Sequence, residues 1–207
     1  MRSMILPDSP MRLMPWSPLH PSAGSMPTVA VISTFPPTHC GLATFASALA
    51  NGMSAVGARE VGIVDVSEGD IHNRPPSVVA HLERGSLRSR LEAVRVINSY
   101  DFLLLQHEFG IFGGDDGSEI LELLEDVHIP VVVTLHTVPL HPSRGQRRVL
   151  EQLAKQAHLL VAMTNVARDR FISLYEVDSS KVVVIPHGAT LLPVSSAPPV
   201  EPFTFLT

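Results

Sequence analysis

The sequence is broken into short apolar runs that lack a polar face. Residues 28–35 (TVAVISTF), 60–66 (EVGIVDV), 102–107 (FLLLQH), 130–136 (PVVVTLH), 158–164 (HLLVAMT) and 181–186 (KVVVIP) are dominated by Val, Ile and Leu. Strands covered on both faces read this way, which is the state of strands in a parallel sheet. Between the runs, apolar residues recur at helical spacing. One stripe is Leu42, Phe45, Leu49, Met53 and Val56; another is Leu87, Leu91, Val94 and Ile97. Ile120, Leu121, Leu124 and Val127 mark a third helix, and Val149, Leu150 and Leu153 a fourth. Residues 78–80 add a short strand. Strand and helix thus alternate about six times, which predicts an α/β fold with a doubly wound, Rossmann-like parallel sheet and right-handed crossovers. A closed eightfold barrel takes roughly 250 residues; this chain has 207.

Punctuation residues agree. Pro36 and Pro37 stop the first strand, a helix opens at Gly41, and Gly57 closes it. Ser118 and Asn165 are expected to cap the helices that follow them. Ser143 and Gln146 have capping-box spacing.

The ends differ from the middle. Residues 1–27 hold five of the seven methionines, six prolines and the only tryptophan, Trp16, and read as a disordered leader. Met26 is an alternative start. Residues 191–207 are Pro-rich and read as a linker into a second half that the sequence does not contain. The net charge of −5 leaves no basic footprint for nucleic acid. A lone cysteine, Cys40, cannot form an internal disulfide and fits a cytoplasmic protein.

Polar residues gather where the apolar runs end. The clusters are His39-Cys40-Gly41, Gln106-His107-Glu108, and His136-Thr137 with His141 nearby. In a parallel sheet these ends share one edge, where ligands bind. Gly41 lets a ligand approach the backbone at a helix start, where free N–H groups favour phosphate; a tight strand-to-helix turn is the plain alternative. His136 either bonds to a ligand or fixes the next loop. His107 and Glu108 point to opposite faces, so one of them holds the loop. His187 reads first as a turn residue. The glycine-rich stretch 110–117 carries Phe109, Ile111 and Phe112, which a solvated connector does not need. Neither GxGxxG nor GxxxxGK[ST] is present, and no HxH, HExxH or CxxC spacing supports a metal site. Cys40 reads as a small, partly buried thiol rather than a nucleophile.

Five segments, STFPPTHCGLATF, LLLQHEFGIFGG, VVVTLHTV, LVAMTNVARDRF and KVVVIPHGA, together resemble the amino-terminal domain of GT-B-fold, family 4 retaining glycosyltransferases, over residues 28–190. The resemblance implies transfer of a hexosyl unit from a nucleotide sugar to a sugar or lipid-linked acceptor, with no metal and no other cofactor. It implies that Gly41 and Cys40 meet the donor diphosphate and that His136 acts beside the transferred sugar. It assigns His107, Glu108, Phe109, Gly113 and Gly114 to the acceptor pocket, and His187 and Gly188 to the interdomain crevice. Lipid-linked acceptors would bring the protein to a membrane surface, although no stretch has a strongly basic amphipathic face. Such enzymes carry a second domain with a basic pair and an E-x7-E pattern. Glu60 and Glu68 share that spacing, but they flank a strand and lie far apart. The expectation is therefore an acceptor-side half, inactive alone, whose other half is separately encoded or lost. A non-catalytic binding module and a small metallohydrolase are the alternatives.

Overall fold

A computed structural model describes residues 26–66, 68 and 74–188. The leader, save its last two residues, and the linker lie outside the described residues.

Seven parallel strands form one sheet. They are β1 (Thr28–Ser33), β2 (Glu60–Asp65), β3 (Val78–His81), β4 (Phe102–His107), β5 (Val131–Leu135), β6 (Leu159–Ala162) and β7 (Val182–Val184). Their spatial order is β3-β2-β1-β4-β5-β6-β7. The order reverses between β1 and β4, and β1 pairs with β2 on one side and β4 on the other: Ile32 lies opposite Val64 of β2 and Leu105 of β4. A doubly wound sheet opens its ligand crevice at such a reversal.

The helices are α1 (Gly41–Ala55), α2 (Leu87–Ile97), α3 (Glu119–Leu124), α4 (Arg144–Gln156) and α5 (Asn165–Leu174). α1 covers one face, packing on Val29, Val31, Phe35 and Ile63 through Ala46 and Ala50. The other four cover the opposite face. Val94 and Ile97, Ile120 and Leu123, Leu150 and Leu153, and Phe171 join one core with Ile32, Leu105, Val133 and Leu160. The helices therefore cover both faces, as the alternating runs predict.

Two helical stripes sit rotated from their expected positions. α1 buries Ala43, Ala46 and Ala50, while Val56 is 79% exposed. Alanine lets the helix axis approach the sheet closely, so the small residues face inward and Leu42, Phe45 and Leu49 flank them, half-buried. α2 buries Ala93, Val94 and Ile97, leaving Leu87 and Leu91 exposed. Again an alanine sets the packing line.

The capping box of Ser143 and Gln146 is present. Ser118 makes no cap bond, because a short helical turn at 115–117 runs straight into α3 and the Ser118 N–H donates to the Asp115 carbonyl at 3.1 Å. The cap of α5 is Thr164, not Asn165; its hydroxyl accepts from the Ala167 N–H at 3.0 Å. Among the described residues no helix is long and apolar enough to cross a membrane.

Candidate functional site

The crevice at the β1–β4 reversal is built from three strand ends. After β1 the chain turns through Pro36 and Pro37 to Cys40, the N-cap of α1. The Cys40 thiol accepts from the Ala43 N–H at 3.3 Å and lies 3.2 Å from the Thr34 hydroxyl. It is exposed rather than partly buried, but its sulfur is engaged as a cap. The N–H groups of Gly41 and Leu42 make no bond to any described residue. They are two of the orphan donors that every helix start presents. A Cβ placed on Gly41 meets nothing within 4 Å, and its φ is not positive. The turn thus does not need glycine, and the alternative of a tight-turn glycine loses its physical basis.

After β5, His136 stands beside α1. Its ring meets the Phe45 ring edge-on, with centroids 5.1 Å apart. Phe45 also contacts the ring of His187, 4.9 Å away, so β7's end joins the same crevice. The His136 Nε2 lies 2.8 Å from the Gln106 Oε1. Burial holds the His136 pKa below the usual imidazole range; nearby Glu108 opposes this and His187 adds to it. The ring is neutral at neutral pH. His187 is exposed, with its Nδ1 2.7 Å from the Gly188 carbonyl, and Gly188 has open space around it.

After β4, the pleat separates neighbours. His107 is fully buried, T-shaped against Phe109 at 4.9 Å and stacked on Phe112 at 6.2 Å. Neither ring nitrogen has a hydrogen-bond partner. Burial pushes its pKa down to about 3, with His136 adding a smaller push. The expectation that the His107 side chain touches an acceptor gives way here: its imidazole is a support under the loop, sealed from the crevice. Phe109 shares that role through its ring. Glu108 is the one that faces the loops, accepting from its neighbour Phe109 N–H at 3.0 Å and from the Thr137 hydroxyl.

The glycine loop then has its own anchor. Asp116 adopts a left-handed backbone, φ 53°, and its carboxylate accepts from the Ser143 hydroxyl at 2.8 Å, tying the loop to the start of α4. Gly114 (φ 75°) and Gly117 (φ 77°) occupy backbone conformations that other residues rarely adopt. A Cβ on Gly113 would lie 2.2 Å from the Glu119 carboxylate. Gly113 also lines a cavity of 210 Å³ between this loop and the one before α2, with Leu82, Arg84, Arg90, Phe112 and Glu119. None of Gly41, His136 or His187 lines it.

The cavity, Phe45 and the bonded pairing of Gln106 with His136 were not foreseen. Phe45 was legible only as a helix-stripe residue. Gln106 carried a signal: a polar side chain one place before the end of a buried strand must find a partner. Glu60 and Glu68 take separate partners, Tyr100 and Arg84, so their spacing has no joint role. Among the described residues no three of His, Cys, Asp and Glu come together in a way that could hold a metal ion.

No curated protein matches the sequence. Among solved structures, an alpha-glucosyltransferase in complex with UDP and a 13-mer DNA superposes with a TM-score of 0.57 at 15% identity, over 80% of this chain and 43% of that one. Anabaena HepE, in complex with UDP and glucose, superposes with a TM-score of 0.55 at 15% identity, over 79% of this chain and 45% of that one. This chain therefore spans less than half the length of those proteins, and the likeness is one of fold. The sequence profile of Glycosyltransferase Family 4 matches residues 40–191. With the parallel sheet, its reversal at β1–β4 and the crevice there, that match makes the chain a member of Glycosyltransferase Family 4 with the amino-terminal GT-B fold.

Proposed function

We propose that this chain is the acceptor-side half of a retaining hexosyltransferase that uses a nucleotide sugar. The observation that carries this reading is the pair of unbonded N–H groups at Gly41 and Leu42, at the start of the helix whose Phe45 touches His136. A nucleotide sugar leaves as a diphosphate, and negative charge grows on that group as the glycosidic bond breaks. Fixed N–H donors at a helix start stabilise such charge without reorganising. Cys40 serves the diphosphate through its place in the backbone, since its sulfur caps α1. The same donors do the work that a metal would otherwise do, so no metal or other cofactor is required. His136 orients the hexosyl unit, contributing by positioning. Glu108, Phe109, Gly113 and Gly114 shape the acceptor wall. His187 and Gly188 line the crevice toward a facing domain.

That facing domain holds most of the nucleotide, in keeping with the greater length of the solved neighbours. The two solved neighbours contain UDP, which makes UDP-glucose the first donor to test. Although one neighbour is complexed with DNA, the net charge of −5 here disfavours a polyanionic acceptor. A sugar or lipid-linked acceptor, met in the cytoplasm or at a membrane surface, fits better.

Titrating the 15N-labelled chain with UDP-glucose tests the reading. Shifts are expected to concentrate at the amides of Gly41, Leu42, Ala43 and His136. Shifts that bypass all four would refute the site. Incubation with donor and simple sugars should give no appreciable transfer; robust transfer by the chain alone would refute its assignment as half an enzyme.

A further inference from the structure

We infer that Gln106 is a positioning residue that locks His136 into the Nε2–H tautomer and leaves Nδ1 as a hydrogen-bond acceptor for a substrate hydroxyl. Gln106 is fully buried on β4, opposite Thr134 of β5 in the parallel register. Its amide nitrogen points to the Thr134 hydroxyl, 3.5 Å away, and its Oε1 meets the His136 Nε2 at 2.8 Å. An amide oxygen has lone pairs and no proton, so the imidazole must donate from Nε2. A neutral ring with its proton there carries a lone pair on Nδ1. No described residue bonds to Nδ1. The backbone is held as well, since the His136 N–H donates to the His107 carbonyl at 3.1 Å, and Phe45 abuts the ring.

The consequence is a rule about what the crevice accepts. A neutral Nδ1 lone pair welcomes an O–H and turns away a bare phosphate or carbonyl oxygen. Within the proposed function, on which this consequence rests, the sugar end of the donor faces His136 and the diphosphate faces Gly41. A donor with fluorine in place of the contacted hydroxyl would lose the bond, because fluorine has no proton to give.

The tautomer itself can be read without turnover. In the 15N-labelled full chain, two-bond 1H–15N correlations report which imidazole nitrogen is protonated, and His136→Asn assigns the signals. The wild type should show protonated Nε2 and bare Nδ1 at neutral pH. Gln106→Met should weaken the preference about fivefold, the worth of one ordinary hydrogen bond, while Gln106→Glu, which keeps an acceptor oxygen, should retain it. Finding the proton on Nδ1 in the wild type would overturn the inference, as would an unchanged preference in a folded Gln106→Met. Should Gln106→Met fail to fold, the wild type and Gln106→Glu decide. The tautomer result stands whatever the response to UDP-glucose, whereas shifts that bypass Gly41, Leu42, Ala43 and His136 would refute the proposed function alone.

Discussion

Lowering the pH should destabilise this fold, most of all through His107. The ring is fully buried, both nitrogens lack partners, and its folded pKa is about 3 against an ordinary 6.5. Between those values the unfolded chain binds a proton at this site and the folded chain does not. Stability therefore rises with pH across the window, and it falls as pH drops below 6.5. Each pH unit inside the window is worth about 1.4 kcal/mol. From pH 7 to pH 5 the loss from this site comes to about 2 kcal/mol. His136 and His158 are also lowered by burial and act in the same direction, so the wild type alone cannot isolate the effect. His107→Leu can, because the other two titrate in both proteins. Urea unfolding of wild type and variant at pH 7 and pH 5 is the assay. At pH 7 the two should be within about 1.5 kcal/mol, since leucine removes two unpaired polar atoms while losing ring contacts. At pH 5 the variant should have gained about 2 kcal/mol on the wild type. A stability difference that stays constant within about 0.5 kcal/mol between the two pH values would refute the buried, neutral, unpaired histidine.

Two further substitutions probe the edge of the crevice. Gly41→Ala should leave stability unchanged or raise it by up to about 1 kcal/mol, since alanine is the better helix former and no atom lies within 4 Å of the new Cβ. The same change should weaken the response to UDP-glucose about tenfold, because alanine keeps the N–H but its Cβ fills the open space through which a diphosphate would approach it; unchanged binding by NMR titration would remove Gly41 from the site. Asp116→Ala should lower stability by about 1–2 kcal/mol, through a left-handed backbone held by alanine and the lost bond to Ser143. Asp116→Gly should cost less, because glycine relieves the backbone, and equal losses in urea melts would show that the conformation carries no strain.

The strands were legible because burial on both faces leaves an unmistakable run of Val, Ile and Leu, and β4 lies where FLLLQH places it, Phe102–His107. Helix faces were less legible. Large apolar residues mark a stripe only when they are the ones packed inward, and in α1 and α2 alanines take that place. Caps divided along physical lines. Ser143 with Gln146 is a reciprocal motif that identifies itself, whereas Ser118 and Asn165 were each a single polar residue beside an unforeseen turn or a better cap.

The site was legible as a set of strand ends but not as a wiring, and the reason is register. Gln106 and His136 are thirty residues apart in sequence, and what brings them together is the pairing of Gln106 with Thr134 across β4 and β5. Nothing local to either segment states that pairing. The pleat then assigns opposite jobs to two consecutive residues. Gln106 turns toward the α1 face, where it meets His136; His107 turns the other way, where Phe109 and Phe112 close over it. A slip of β4 by one residue would exchange them, putting a bulky unpaired imidazole where the tautomer is set and an amide beneath the aromatic loop. The His136 face and the glycine loop are therefore coupled through the last two residues of one strand. That coupling predicts that insertions before Gln106 damage both at once, while changes confined to residues 113–117 reach only the loop.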